Sequence, residues 1–274
     1  MQSQFFLPVM TYPDQTSEVT IGNAVKFASN CKALLHAVVV EVTIPPITDP
    51  WASLLSNADT MAREAERASV EAGQRLRGML KQHAAGTGVA PSCETVSISS
   101  VNVTDAVGEM ARSYDLTLLQ STAPFEGLSQ AALFDSGRPV ILFPDAPVLG
   151  RIDHVAIAWD GSRAAARALA DAMPLVGGAT QLSVIYAVDE KPLGDDPGRR
   201  LFDSLAARGV HAEPYAIHAH GRVIGEALQE KAIELSADLL VMGGYGHSRM
   251  REFILGGATS DVLTNPMLPI LMSH

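Results

Sequence analysis

The chain has 274 residues, 47% of them hydrophobic but only 5% aromatic, and a formal net charge of −10 at pH 7. That length fits one large domain or two ordinary ones, and the aliphatic bias suits helices packed on a parallel sheet. Both halves are acidic, −6 over residues 1–148 and −4 over 149–274, which excludes general nucleic-acid binding because that affinity comes mostly from neutralising phosphates; no run reaches the roughly 20 apolar residues that span a bilayer.

No basic segment precedes an apolar core at the start, so no secretory leader is expected and the protein is placed in the cytoplasm. Cys31 and Cys93 stand apart from any Cys-x-x-Cys or Cys/His cluster and read as two reduced thiols. Phe5–Val9 is an apolar run before a turn and is predicted as a strand. Asp14, after Tyr12-Pro13, is expected to cap the helix that follows. Asn57–Ala85 carries Ala62, Ala65, Ala68, Ala72, Leu76 and Leu80 at helical spacing, which predicts one long helix with that stripe buried. Ala111–Gln120 passes from a helix end through Asp115-Leu116 into an aliphatic strand. Arg138–Phe143 reads as a short terminal strand introduced by Pro139.

Pro144–Gly150 is proline-rich and without periodicity, as a linker should be, and beyond it the pattern begins again. His154–Trp159 matches Phe5–Val9, Glu234–Gly243 matches Ala111–Gln120, and Leu268–Met272 matches Arg138–Phe143. The chain therefore divides near residue 148 into units 1–148 and 149–274. In the second unit, strands are predicted at about 152–159, 180–188, 212–218, 238–243 and 268–272, with helices at about 162–176, 197–208, 221–235 and 257–264. Ala164, Ala168, Leu169, Ala172 and Leu175 give the first of these helices its apolar face, and Gly177-Gly178 ends it. Strand alternating with helix implies parallel strands with right-handed crossovers, and so an α/β fold in which each unit is an open, mostly parallel sheet of about five strands.

Ligands of such sheets bind at the carboxyl ends of strands, where the strand order reverses. There the second unit has Gly243-x-x-Gly246, nine residues, then Gly256-Gly257. Glycine turns with positive φ and lets a ligand approach the backbone. A helix after Gly257 would begin with unpaired N–H groups of partial positive charge. Two such N–H clusters can embrace a phosphate chain, with His247, Ser248 and Arg249 as side-chain donors. The pattern is neither a Walker A loop nor Gly-x-Gly-x-x-Gly, and its plain alternative is a surface turn. Trp159-Asp160-Gly161-Ser162 ends the unit's first strand. Asp160 can accept from a ribose or an adenine amino group; alternatively Asp160 or Ser162 caps the next helix.

On these residues the second unit resembles a universal stress protein domain. That family's nucleotide motif is Gly-x2-Gly-x9-Gly-Ser/Thr after the fourth strand. Gly243, Gly246 and Gly256 stand at that spacing, and Asp160-Gly161-Ser162 matches the family's Asp-Gly-Ser. The resemblance implies two tandem flavodoxin- or Rossmann-like units of the adenine nucleotide alpha hydrolase type, each an open, mostly parallel five-stranded sheet with helices on both faces, and ATP or AMP, with or without Mg2+. The residues it implies for binding are Asp160, Gly161, Ser162, Val188 (where the family's backbone meets adenine), Met242, Gly243, Gly246, His247, Ser248, Arg249, Gly256, Gly257 and Thr259. Gly257 departs from the motif: it keeps the N–H but loses a hydroxyl to phosphate, worth roughly 1.5–3 kcal/mol, and the nearest replacement is Thr259.

The first unit resembles the family weakly. Gln120–Gly127 has no Gly-x-x-Gly, Glu126 would repel phosphate, and Met10 stands where Asp160 does, so no nucleotide is expected there. Family members dimerise through their terminal strands, so residues 139–143 and 269–272 are expected to join the halves as an internal pseudo-dimer; a homodimer and an unknown protein partner are further expectations. No catalytic and no metal residue is assigned. A slow ATPase would use His247 as base and Asp160 to hold Mg2+ through water, but a second strand-end acid is missing, and His218-x-His220 offers zinc two ligands rather than three. The leading reading is a stress-response or regulatory nucleotide binder, with a slow ATPase and a scaffold that binds no nucleotide as alternatives.

Overall fold

Strand and helix alternate along the computed structural model, which describes residues 2–45, 58–188, 195–219, 221–244 and 262–274. The first half comprises β1 (Gln4–Met10), α1 (Glu18–Asn30), β2 (Leu34–Thr43), α2 (Ala58–Ala84), β3 (Ser92–Ser99), α3 (Val103–Ala111), β4 (Leu116–Gln120), α4 (Glu126–Phe134) and β5 (Val140–Phe143). The second repeats it with β6 (His154–Ala158), α5 (Arg163–Val176), β7 (Gln181–Ala187), α6 (Asp195–Ala207), β8 (Glu213–Ile217), α7 (Ile224–Glu234), β9 (Leu239–Gly243) and β10 (Ile270–Ser273). The predicted second-half strands and helices fall within a few residues of these bounds. Of the helix expected at 257–264, residues 262–264 are described, and they are helical.

The ten strands form one sheet in the order β3-β2-β1-β4-β5-β10-β9-β6-β7-β8. Every pairing is parallel except one: β5 and β10 run antiparallel, with Ile270 opposite Leu142 and Met272 opposite Val140. Each half supplies five parallel strands, as expected, and the two sets are joined edge to edge at β5 and β10. Val140–Phe143 and Ile270–Ser273 are buried throughout, so each inner edge finds its ladder partners in the other half rather than in water. The antiparallel joint turns the carboxyl edges of the two halves toward opposite ends of the sheet.

Helices α1, α2, α5 and α6 cover one face, where Phe27, Leu80, Ala172 and Leu205 meet Leu7, Leu118, Ile157 and Val241. Helices α3, α4 and α7 cover the other, with Val107, Leu133 and Leu228 against Phe6, Val40, Leu142 and Met242. Both layers run across the joint, so the halves share their core.

Two local readings change. The stripe of α2 buries Ser69 in place of Ala68, because Ser69 Oγ accepts from Val42 N at 2.9 Å and meets Thr11 Oγ1 at 2.6 Å. Ser17, not Asp14, caps α1, accepting from Thr20 N at 3.1 Å. Gly177 ends α5 as expected, with φ −60° and its N–H returned to Met173. Finally, the proline-rich linker is docked on α1. Asn23, buried at 1% exposure, donates Nδ2 to Ala146 O and accepts from Val148 N, both at 2.9 Å. Gly150 has φ +78° and lies so close that a Cβ there would be 2.8 Å from Lys26 Cβ.

Candidate functional site

In the second half the chain leaves β6, builds β7 and β8 to one side, then returns to build β9 and β10 on the other. The strand order therefore reverses between β6 and β9, which pair in register from Val155↔Leu239 to Ile157↔Val241. The carboxyl ends of these strands are neighbours, so the Asp160–Ser162 turn and Gly243 come together at the switch point where such sheets open a crevice.

The turn after β6 is built from three residues with separate jobs. Gly161 takes φ +72°, a left-handed conformation glycine adopts at little cost. Asp160 Oδ1 accepts from Ser162 N at 2.8 Å, closing an Asx turn, and its side chain stays exposed. Ser162 Oγ accepts from Ala165 N at 3.1 Å and caps α5. The cap therefore belongs to Ser162, and Asp160 remains at the rim with a second carboxylate oxygen directed to no described partner. The start of α5 has N–H groups without intrahelical acceptors and the positive end of the helix dipole.

Gly243 has a different role from the expected one. A Cβ on it would lie 2.5 Å from Ala164 C and Ala165 N and 2.7 Å from Ala164 Cβ. The space is taken by the first turn of α5, so the missing side chain presses the strand end against that helix start instead of admitting a ligand at Gly243 itself. Met242 beside it is buried and faces the opposite layer. Val188, just after β7, is half-buried, and its N–H bonds Ile217 O at 3.1 Å. Gly246, His247, Ser248, Arg249, Gly256, Gly257 and Thr259 lie outside the described residues, as does His220.

Trp159 immediately precedes the Asp160-Gly161-Ser162 turn. Its indole Nε1 is buried next to Asp160 with no acceptor among the described residues. A buried donor without a partner is uncommon, and the sequence gives no sign of it because burial and orientation decide it. Ser273, opposite Gly243 in register, is buried at 1% exposure, and its hydroxyl has no partner among the described residues.

The first half supplies an internal control. Its order reverses between β1 and β4, and Gln120, the residue aligned with Gly243, sits there. Gln120 Oε1 accepts from Ser17 N at 2.7 Å and from Thr20 Oγ1 at 3.4 Å. The side chain amide thus occupies the N-terminus of α1, where an anion would lie. Met10, aligned with Asp160, has its own N–H and carbonyl bonded to Thr16.

Two grooves of about 260 and 380 Å³ lie elsewhere. One is walled by Pro147, Asp238 and Pro269, the other by Arg138, Pro139 and Arg167. Neither contains a residue of the predicted site; both follow the seam between the halves. No group of three or more His, Cys, Asp or Glu that could hold a metal occurs among the described residues, and no helix among them is long and apolar enough to cross a membrane.

Residues 151–274 match the model of the universal stress protein family. A universal stress protein from Archaeoglobus fulgidus DSM 4304 matches 99% of this chain over 96% of its own length, with a TM-score of 0.73 and 19% identity. A putative universal stress protein from Pseudomonas aeruginosa UCBPP-PA14 matches 99% over 93% of its length, TM-score 0.56, 16% identity. A functionally unknown protein from Pseudomonas aeruginosa PAO1 matches 98% over 92%, TM-score 0.56, 17% identity. At these identities the likeness is one of fold, and it runs nearly end to end through both halves. No curated protein matches the chain.

Proposed function

Taking as premise a C-terminal half, residues 151–274, that matches the universal stress protein family, we propose that this chain is a nucleotide-binding stress-response protein of two tandem units, 1–148 and 149–274, with one adenine nucleotide, ATP or AMP, held by the second unit. The observation that supports it best is the contrast between the two switch points. At the first, the Gln120 amide already occupies the helix N-terminus. At the second, Gly243 brings no side chain and the exposed Asp160 stands at the rim.

Asp160 accepts a hydrogen bond from the ribose or the adenine amino group, and the Val188 carbonyl faces the base. The start of α5 behind Gly161 and Ser162 favours the negative charge of the ligand. Gly243, with Met242 below it, holds the strand exit against α5, while Gly246, His247, Ser248, Arg249, Gly256, Gly257 and Thr259 furnish the phosphate contacts that the motif spacing implies. Gly257, where the family has Ser or Thr, removes one hydrogen bond to a charged group. That lowers affinity by about one to two orders of magnitude. Mg2+, where present, enters with the phosphates, with Asp160 as the described carboxylate within the site.

Calorimetric titration with ATP and with AMP, with and without Mg2+, tests the reading against a Gly246→Val variant. The parent is expected to bind and the variant to bind at least about tenfold more weakly, since a branched side chain blocks backbone approach. In a Trp51→Phe background, the fluorescence of Trp159 is expected to change on binding. A parent that takes up no nucleotide refutes the proposal, and steady release of phosphate from ATP assigns the chain to the slow ATPases instead.

A further inference from the structure

The half without the motif touches both ends of the segment that carries it. Gly244 precedes that segment and Leu263 follows it in the sequence. On the first side, a Cβ at Gly244 would meet Leu133 Cδ2 of α4 at 2.9 Å. Gly244 N donates to Ser273 O at 2.8 Å, and Gly244 O accepts from His274 Nδ1 at 3.0 Å. The His274 ring in turn sits edge-on against Phe134, ring centroids 5.0 Å apart. On the second side, Ser121 Oγ, at the exit of β4, donates to Leu263 O.

These contacts are mates. Ser121 follows the last residue of β4 as Gly244 follows the last residue of β9, and Leu133 precedes β5 by the interval at which Leu263 precedes β10. Both exits bond the neighbouring terminal strand: Ser121 N to Phe143 O at 3.4 Å, Gly244 N to Ser273 O at 2.8 Å. Ser121, Leu133 and Leu263 are all buried, at 2%, 1% and 0% exposure. In each half the strand exit at the switch point is thus backed by the segment ahead of the other half's terminal strand. Packed interiors transmit displacement because they have few voids to absorb it.

Resting on the nucleotide reading above, we propose that Ser121, Leu133 and Phe134 of the first half are positioning residues for the second half's nucleotide site. They hold the two flanks of residues 245–261, and nucleotide occupancy is read out at β4–α4 through the same contacts. Coupling of this kind is reciprocal: what the first half contributes to nucleotide affinity, bound nucleotide returns as order in the first half.

The test uses the full chain with ATP as probe. Ser121→Ala is expected to weaken binding about fivefold, the effect of one neutral hydrogen bond, with an unchanged circular dichroism spectrum. Leu133→Ala is expected to weaken it at least about tenfold, with Leu133→Met restoring most of the loss because volume is kept. Saturating ATP is expected to slow amide exchange over residues 121–134 of the unaltered chain and to shift the His274 ring resonances, readouts that need no variant to fold. Parent-like affinity in Ser121→Ala and Leu133→Ala, together with unchanged exchange at 121–134 in a parent that binds ATP, overturns this proposal and leaves the nucleotide reading standing. A parent that binds no nucleotide overturns both.

Discussion

Gly243→Ala adds one methyl group where the chain has least room. The new Cβ would lie 2.5 Å from Ala164 C and Ala165 N and 2.7 Å from Ala164 Cβ. None of these atoms ends a flexible side chain; all belong to the first turn of α5. Relief requires the helix start to move off β9, and with it the Ser162 cap and the Asp160 turn. Overpacking costs about 1–3 kcal/mol when neighbours can yield; rigid backbone on the crowded side puts the expected loss at the top of that range, about 3 kcal/mol. At roughly 2–4 °C per kcal/mol for a chain of this size, the Tm falls by about 6–12 °C. Gly78→Ala is the matched control. Gly78 lies exposed in the interior of α2, and its Cβ would meet nothing within 4 Å, so this change is expected to stabilise by about 0.5–1 kcal/mol through helix propensity. Urea unfolding followed by far-UV circular dichroism measures both. A Gly243→Ala loss below about 0.5 kcal/mol, the size of an ordinary surface change, would refute the close-approach account of this glycine.

Asn23→Ala removes both bonds that seat the linker; a loss of about 1–3 kcal/mol is expected, and tryptic cleavage after the exposed Arg151 should accelerate. Gln120→Ala leaves Ser17 N without its acceptor and should cost about 1 kcal/mol, with no gain of nucleotide binding by the first half, where Met10 stands in the place of Asp160. Burial raises the Cys31 thiol from about 9 to about 12, and burial also raises that of Cys93, opposed by Arg77 and Lys81. Cys93 is therefore expected to react first with a disulfide reagent, and Cys31 only on unfolding. Between about pH 9 and 12 the unfolded state releases the Cys31 proton while the folded state keeps it, so this contribution to stability is complete below about pH 9 and is lost as pH rises toward 12. Cys31→Ala should flatten that alkaline decline in Tm.

Periodicity and repetition made much of this molecule legible. The alternation of β-rich and helical segments, the two copies of the Asp-Leu strand entry and the proline before each terminal strand fixed an α/β fold written twice, because side-chain periods of 2 and 3.6 follow from local backbone geometry. Glycine spacing and Asp160-Gly161-Ser162 pointed to a switch-point site for the same reason: turns and caps are short-range. What partners a group across the fold is another matter. That the docked linker leans on Asn23, that Ser17 rather than Asp14 caps α1, that Ser69 replaces Ala68 in the core and that Gly243 faces Ala164 all depend on residues distant in sequence. So does the filling of the first switch point by Gln120, which reads in sequence only as a strand end without the glycine motif. The joining of β5 to β10 into one ten-stranded sheet was foreshadowed by two short apolar strands, but its antiparallel register, and with it the placing of Leu133 beside Gly244 and Ser121 beside Leu263, is set only when both halves bury their inner edges against each other. Local pattern chose the elements; the requirement that every buried edge and polar group find a partner chose their arrangement.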